Sequence, residues 1–413
     1  MPKGHVITGL DIGNSAIKAV MVEIHPDFAR PQVIGIGTAT SNGMRHGMVV
    51  DMEEIVKDVG MAVNQAAQTS GVKPNRVYVN INGSYIRMQN SRGVIAVSRA
   101  DNEISEADVQ RVIEAASAVS LPPNREILHI IPRHFIVDGH DQVKNPIGMT
   151  GVRLEAEVML IDVLSPYIKN LAKAVNQNNL EVAEFVFTPL AASRAVLDKK
   201  AREHGAMVLD IGGGLCSMAI FEEGDLVYTG VLPLGSRHIT NDLAIVLRTS
   251  LDNAEQIKLE YGFVGADNLS KKDVINLSGV IGEEEFIVPK KQIAEVVEAR
   301  VSELLDLVNK ELKRSGKNLL PAGVMLTGGG IKLPGLVHLV KETLKLPVHL
   351  GISKEVDGIV NRLDDSVFTT AVGLALWGAD KEGAHLNKRH SLQIFGKNAA
   401  INKMRDWFKN FMP

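Results

Sequence analysis

The sequence predicts an α/β protein built as two related lobes, with a third, mixed α/β unit inserted into the first. One observation is a device written twice. "GLDIGNSAIKAVMVEI" (9–24) and "VLDIGGGLCSMAIF" (208–221) each run an apolar strand into an aspartate, a glycine turn and a second apolar strand. A second is the order of elements, hairpin strands, helix, strand, helix, in both halves. That repetition points to an internal duplication too diverged to show as residue identity. A third is the change of pattern between "RVYVNINGSYIRM" (76–88) and "GMTGVRLEAEVMLIDV" (148–163), where strands and one helix interrupt the repeated order.

A chain of 413 residues exceeds one ordinary core, so two or three domains are expected. Hydrophobic residues at 45% and charged residues at 23% are those of a globular chain, and a net charge of −3 gives no global pull toward nucleic acid. No nucleic-acid partner is therefore expected. The single cysteine, Cys216, excludes an intramolecular disulfide and any Cys-rich zinc site, and beside a glycine turn it reads as a small buried residue. His134 and His140 lack metal-ligand spacing and read as ordinary strand or surface residues. The first residues pass from Lys3 straight into a strand, with no apolar core of signal-peptide length, and no run of about 18 uncharged apolar residues occurs. An intracellular protein is expected.

The elements follow in order. "HVITGLDIG" and "SAIKAVMVEI" read as strands joined by a short turn. "DMEEIVKDVGMAVNQAAQTSG" reads as an amphipathic helix with Asp51 and Glu54 at capping-box spacing, a face of Ile55, Val59, Ala62, Val63 and Ala66, and Gly71 as its stop. The mixed unit supplies strands at 91–98 and 126–139 and a helix at 105–119. "SPYIKNLAKAVNQNN" reads as a helix with Ser165 as N-cap and Pro166 in its first turn, and "EVAEFVF" as the strand after it. "TPLAASRAVLDKKAREHG" is a second helix, leading into the Asp210 strand. Helical patterns follow at 236–250, 253–262 and 290–316; in the last, Ile293, Val297, Val301, Leu304, Val308 and Leu312 form a stripe that reads as a core face. "GVMLTGGG", "VHLG" and "DSVFTTAVGLALWGA" complete the second half, and the polar, unpatterned stretch from residue 380 reads as a linker.

A strand ending in Asp-x-Gly sets a carboxylate at its tip and lets the next backbone come close to whatever sits there. Successive exposed N–H groups in such a turn form an anion site, for which phosphate oxygens are the natural occupant. Two matching turns, at Gly13 and at Gly212, Gly213 and Gly214, joined by a third at Gly328, Gly329 and Gly330, suggest a nucleotide held between the lobes. Carboxylates near a polyphosphate make sense when a hard cation lies between, and Mg²⁺ keeps waters that Asp can hold. Asp11 and Asp210 are the candidate catalytic and metal-holding residues. Lys18 follows in the next strand, where register decides whether it reaches phosphate or faces solvent.

These residues carry a resemblance. "LDIGNSAIKAV", "TPLAASRAVL", "VLDIGGG" and "VMLTGGG" resemble, in order, the first phosphate motif, first hinge helix, second phosphate motif and adenosine motif of the actin, Hsp70 and hexokinase superfamily. The fold implied is a duplicated, actin-like (ribonuclease H-like) ATPase around a cleft that takes ATP and Mg²⁺. The resemblance implies cofactor contacts at Asp11, Gly13, Asn14, Ser15 and Lys18 in the first turn and at Asp210, Gly212, Gly213 and Gly214 in the second. It adds Gly235 and Ser236 ahead of a helix, and Gly328, Gly329 and Gly330 in the third turn. "SLDNAEQIKLEYG" resembles the ribose and adenine contact helix, with Glu255 and Lys258 one turn apart; a plain surface ion pair is the alternative.

Within that superfamily, "EILHIIPRHFIVDGHDQVKNPIGMTGVRLEAEVMLI" and "FTTAVGLALWG" resemble the bacterial cell-division FtsA family. The resemblance spans nearly the whole chain. It implies a first core subdomain (1A) at 1–84 and 158–196 with the family's inserted subdomain (1C) at 85–157. A second core (2A) falls at 197–234 and 303–379, with an outer subdomain (2B) at 235–302. It further implies self-assembly into actin-like filaments, binding of the FtsZ C-terminal tail through 2B, contacts with other division proteins, and a peripheral place on the cytoplasmic face of the membrane at the division site. Related filament proteins often begin the hinge helix with a glutamate or glutamine that orients the attacking water, whereas Thr188 stands here, and Leu215 replaces the threonine usual after the three glycines. Tight ATP binding with slow hydrolysis is therefore expected.

After a linker at 380–396, the stretch 397–413, "KNAAINKMRDWFKNFMP", places Ile401, Met404, Phe408 and Phe411 on one helical face with Trp407 adjoining. Lys397, Lys403, Arg405 and Lys409 against Asp406 make the rest basic, the combination of an interfacial helix on anionic lipid. A helix docked on the protein's own core is the alternative. The phosphate motifs alone leave two other functions open, a small-molecule (sugar-type) kinase and a pilus-assembly scaffold of the same fold. The first lacks a candidate base here, and the tail counts against both.

Overall fold

The computed structural model describes residues 4–270, 272–282, 285–317, 319–359 and 365–386. Two sheets of matching topology form the lobes. In the first, the strands lie in the order Glu181–Phe187, Arg76–Ile81, His5–Ile12, Ala16–Ile24, Gln32–Thr40, with the short Asp357–Gly358 at the edge. In the second, the order is Val348–Leu350, Gly323–Thr327, Ala206–Ile211, Cys216–Glu222, Asp225–Leu232. Each sheet thus pairs its central strand in parallel on one side and with an antiparallel hairpin on the other. The duplication read from element order appears as this shared strand order, and the lobes form one actin-like fold. Both hairpins keep the same register, Asp11 opposite Lys18 and Asp210 opposite Ser217.

The sequence explains the layers. Ile7, Leu10, Val20, Met21 and Val22 are fully or almost fully buried because helices cover both faces of the first sheet. One cover is the helix Met52–Ser70, started by Asp51, whose carboxylate accepts from the Glu53 and Glu54 amides, and stopped by Gly71 at φ +70°. The stripe on Lys290–Arg314 is buried as a core face, from Ile293 through Leu312. Against it pack Met218, Ile220, Leu243 and Val340 of the second lobe.

The hinge helix Thr188–Val196 packs against Ala206–Ile211 and Cys216–Glu222 of the second sheet and against the helix Thr369–Leu386, which lies on the first sheet. Their backbones touch at Gly373, where a Cβ would lie 1.8 Å from the Ala191 carbonyl oxygen. No side chain fits there.

The inserted sheet runs Arg87–Ala96, Arg153–Leu164, Arg125–Val137, His140–Val143, with the helix Glu106–Ser117 on one face. Phe135, Leu154, Val112 and Ile113 form its separate core. At its root the buried Arg125 pairs with Asp162 and donates to the Tyr85 carbonyl at 2.8 Å. On its flank Lys144 is ion-paired with Asp225 of the second lobe.

Three local expectations differ from what forms. The strand Arg76–Ile81, which the change of pattern put at the start of the mixed unit and the family resemblance put in the first core, belongs to the first sheet, because its parallel register is set by His5–Ile12 and Glu181–Phe187. Ser165 is not an N-cap: the preceding strand runs on to Leu164, which occupies that position, and the Ser165 amide bonds the Asn124 carbonyl at 2.9 Å. The last helix continues to Leu386 rather than yielding to a linker at 380. Asp380 takes a bidentate contact from Arg194, Lys381 pairs with Glu184 at 2.5 Å, and Glu382 accepts from the Tyr78 hydroxyl at 3.0 Å. These polar residues are anchors on the first lobe.

Candidate functional site

The central strands of the two sheets end facing one another, and the space between them is a cavity of about 420 Å³. Asp11 enters from the first lobe, 6% exposed. Its Oδ2 accepts from Lys18 Nζ at 2.9 Å and its Oδ1 from Asn80 Nδ2 at 2.8 Å. Asn80 is itself fixed, because its Oδ1 accepts from the Ile12 amide at 2.6 Å and its Nδ2 also reaches Thr188 Oγ1 at 3.2 Å. Register thus settles the question at Lys18: opposite Asp11 on the hairpin, it neutralises that carboxylate.

Asp210 enters from the second lobe. Burial first, and then the charge of Asp11, pushes its carboxyl up to about 7, with Lys18 acting in the opposite direction. With the buried Asp210 and Asp11 facing a single Lys18, the set is short of one positive charge, which a hard divalent cation would supply. Among the described residues no cluster of three or more His, Cys, Asp or Glu side chains could hold a metal alone. A cation here would therefore complete its shell with water and phosphate, as Mg²⁺ does.

The glycine turns are cradles. A Cβ on Gly213 would lie 1.9 Å from Ser15 Oγ, and one on Gly214 3.0 Å from Asn14 Cγ, so the first and second turns meet tip to tip. Gly328 has φ +88°, and a Cβ there would lie 2.3 Å from Asp210 Oδ1, so the second carboxylate rests on the third turn. Gly13, Asn14, Ser15, Lys18, Gly212 and Gly213 line the cavity, as do Gly328, Gly329 and Gly330. Gly214 and Gly235 stand behind the lining. Gly235 opens the helix Ser236–Leu247, whose Ser236 and Arg237 amides hold the second turn through the Gly212 and Gly213 carbonyls at 2.9 and 2.7 Å. Those two amides are occupied, so Ser236 faces the cavity with its side of the helix while its N–H supports the turn.

Glu255 and Lys258 lie on the cavity wall. Lys258 Nζ bonds Glu255 Oε2 at 2.7 Å and Thr240 Oγ1 at 3.0 Å, making a polar patch on that wall. A larger opening, about 600 Å³, lies between Ile36, Thr38 and Gln65 of the first lobe and Ile331, Leu350 and Phe368. It has no glycine turn from the second hairpin, and its Asp365 is already paired with Lys332. The smaller cleft is the better anion site.

Asn80 and Asn82 were missed in the sequence, although "VNING" carries the signal of polar side chains at a strand tip. The tail residues Ile401, Lys403, Met404, Arg405, Trp407, Phe408, Lys409 and Phe411 lie outside the described residues. No helix among the described residues is long and apolar enough to cross a membrane.

Residues 83–162 match the family model described as "SHS2 domain inserted in FTSA", and residues 207–373 the one described as "Cell division protein FtsA". The chain is 37% identical to the cell division protein FtsA of Pseudomonas aeruginosa over 409 residues, 98% of this chain and 97% of that protein. It is 33% identical to that of Escherichia coli, with the same two coverages. Among solved structures, the PilM-PilN type IV pilus biogenesis complex superposes with TM-score 0.64 at 19% identity, covering 90% of this chain and 98% of that one. MreB5 of Spiroplasma citri bound to ADP gives 0.53 at 13% identity, covering 94% and 99%. The fold is shared with both of these structures, and on near-full-length sequence identity the chain belongs to the FtsA family of cell-division proteins.

Proposed function

We propose that the cleft binds ATP with Mg²⁺, and that loaded copies polymerise as actin-like filaments tethering the FtsZ ring to the cytoplasmic membrane and helping to recruit later division proteins. The observation that carries the nucleotide reading is the pair Asp11 and Asp210, brought to one cavity by two hairpins of identical register and floored by three glycine turns. Asp11 and Asp210 would hold the cation through its waters. The turns at Gly13 and Gly212 would cradle phosphate, Lys18 would shift toward phosphate once a cation neutralises Asp11, and Glu255 with Lys258 would meet the ribose and base. A neighbour of the same fold is described as bound to ADP, which supports a nucleotide as the ligand. Thr188 cannot serve as base, so turnover is slow.

The membrane role rests on composition. Burying each large apolar side chain of the tail contributes about 1.5–3 kcal/mol, and each basic residue about 1 kcal/mol at an anionic surface. Ordering a short helix offsets much of that. A single copy binds reversibly, and a filament holds by avidity. The FtsZ tail is assigned to 235–302.

Calorimetry with ATP, with and without Mg²⁺, tests the cleft; no heat of association in either case would refute it. Flotation with anionic vesicles tests the tail. Trp407→Glu should leave the protein in the soluble fraction, and unchanged flotation would refute the assignment. Electron microscopy on lipid monolayers with ATP, with and without residues 397–413, tests filament formation.

A further inference from the structure

We propose that Asn82 orients the water that attacks the γ-phosphorus of ATP, an assignment that rests on the nucleotide reading above. Asn82 follows directly on the strand Arg76–Ile81. That strand lies between His5–Ile12 and Glu181–Phe187, so its tip is shared with Asp11 on one side and Thr188 on the other. All three residues line the cavity.

A water attacking in line needs a hydrogen-bond acceptor to hold it. The other asparagine acceptors lining the cleft, and Thr188 at the hinge helix, are committed. Asn14 Oδ1 accepts from the Gly47 amide at 2.9 Å, and Asn80 Oδ1 from the Ile12 amide at 2.6 Å. Thr188 Oγ1 accepts from Asn80 Nδ2 at 3.2 Å and donates to the Ile81 carbonyl at 3.3 Å. Asn82 Oδ1 is buried and accepts from no group.

The Asn82 side chain is also held in place. Its Nδ2 donates to Ser217 Oγ at 3.2 Å, across the cleft, and its backbone carbonyl accepts from the Tyr85 hydroxyl at 3.1 Å. Ser217 stands opposite Asp210 in the second hairpin, so the bond that holds Asn82 runs to the strand paired with the second carboxylate. A buried amide oxygen without a donor calls for a water or ligand to supply one.

In the step itself, a lone pair of the water oxygen forms the new bond to phosphorus. The bond from the γ-phosphorus to the bridging oxygen breaks, its electrons staying on ADP, and the water proton passes to the phosphate released. A neutral amide positions the water without accepting its proton, which fits slow turnover.

The test uses the full chain on anionic vesicles. Asn82→Ala should slow single-turnover phosphate release on the order of ten- to a hundredfold, while ATP affinity stays within about threefold of the unchanged chain. The ADP–aluminium fluoride complex, which includes an in-line water, should weaken about tenfold, and the ADP–beryllium fluoride complex should not. Asn82→Asp, which adds a base at the same place, should release phosphate faster as pH rises through its titration. Unchanged release by Asn82→Ala would overturn the proposal. So would an equal loss of ATP and both fluoride complexes, which would make Asn82 a strut between lobes. If the unchanged chain binds no ATP, the nucleotide reading itself fails, an outcome distinct from both.

Discussion

Replacing Gly328 with alanine tests how tightly the third glycine turn and the second carboxylate are built into each other. Gly328 has φ +88° and ψ 167°, a region open in practice only to glycine, so an alanine there costs about 1–3 kcal/mol in backbone strain. Its Cβ would also lie 2.5 Å from the Ile211 carbonyl oxygen and 2.3 Å from Asp210 Oδ1. Relieving that overlap costs about 1–3 kcal/mol more, and the relief must move the carboxylate. Gly71 provides the control. It too has positive φ, +70°, but nothing lies within 4 Å of a Cβ there, so Gly71→Ala carries only the left-handed penalty of about 1–2 kcal/mol. Urea denaturation and Mg²⁺–ATP calorimetry on both variants separate the two effects. Gly71→Ala should lower the unfolding midpoint slightly and bind Mg²⁺–ATP as before. Gly328→Ala should lower it further and weaken Mg²⁺–ATP by at least about tenfold, the loss expected when one carboxylate leaves the cation's shell. Equal destabilisation of the two variants, or unchanged Mg²⁺–ATP affinity in Gly328→Ala, would refute this account of the turn.

Two other perturbations have defined outcomes. Burial holds the His134 imidazole below its ordinary value of 6.5, with Glu157 opposing from 3.2 Å, so the unfolded chain takes up a proton that the folded chain resists. Stability should therefore fall as pH drops below 6.5 toward the depressed folded value. His134→Gln should flatten that slope in urea titrations; an unchanged slope would remove His134 as its cause. Arg194→Met should destabilise the protein by about 3 kcal/mol, since it strands Asp380 and Glu355 beside the hinge helix. Limited proteolysis within 369–386 should accelerate in parallel, and a loss under about 0.5 kcal/mol, that of an ordinary surface substitution, would show the pairs to be peripheral.

The parts of this molecule legible in the sequence are those whose signal is local. An apolar strand, its terminal aspartate and the glycine after it are neighbours in the chain, so Asp11 and Asp210 could be read twice from the same pattern. The stripe on Lys290–Arg314 was legible for the same reason, because helical spacing alone exposes it. What was not legible depends on distant partners. Asn80 and Asn82 reach the cleft only because Arg76–Ile81 pairs in parallel with His5–Ile12, a register fixed by packing between segments far apart in the chain. Asp380, Lys381 and Glu382 have linker composition, and only Arg194, Glu184 and Tyr78 turn them into helix anchors. Ser165 had the right residue type for a cap but lost the position to a strand one residue longer than its pattern suggested.

The bare contact between Gly373 and Ala191 locks the two central helices backbone to backbone. Leu190, Ala192, Leu374 and Trp377 are buried around that point in one core with Ile7 and Val186 of the first sheet and Val208 and Phe221 of the second, so neither helix can shift without carrying the other. A bulkier residue at 373 would wedge the helices apart and open the core that the two sheets share.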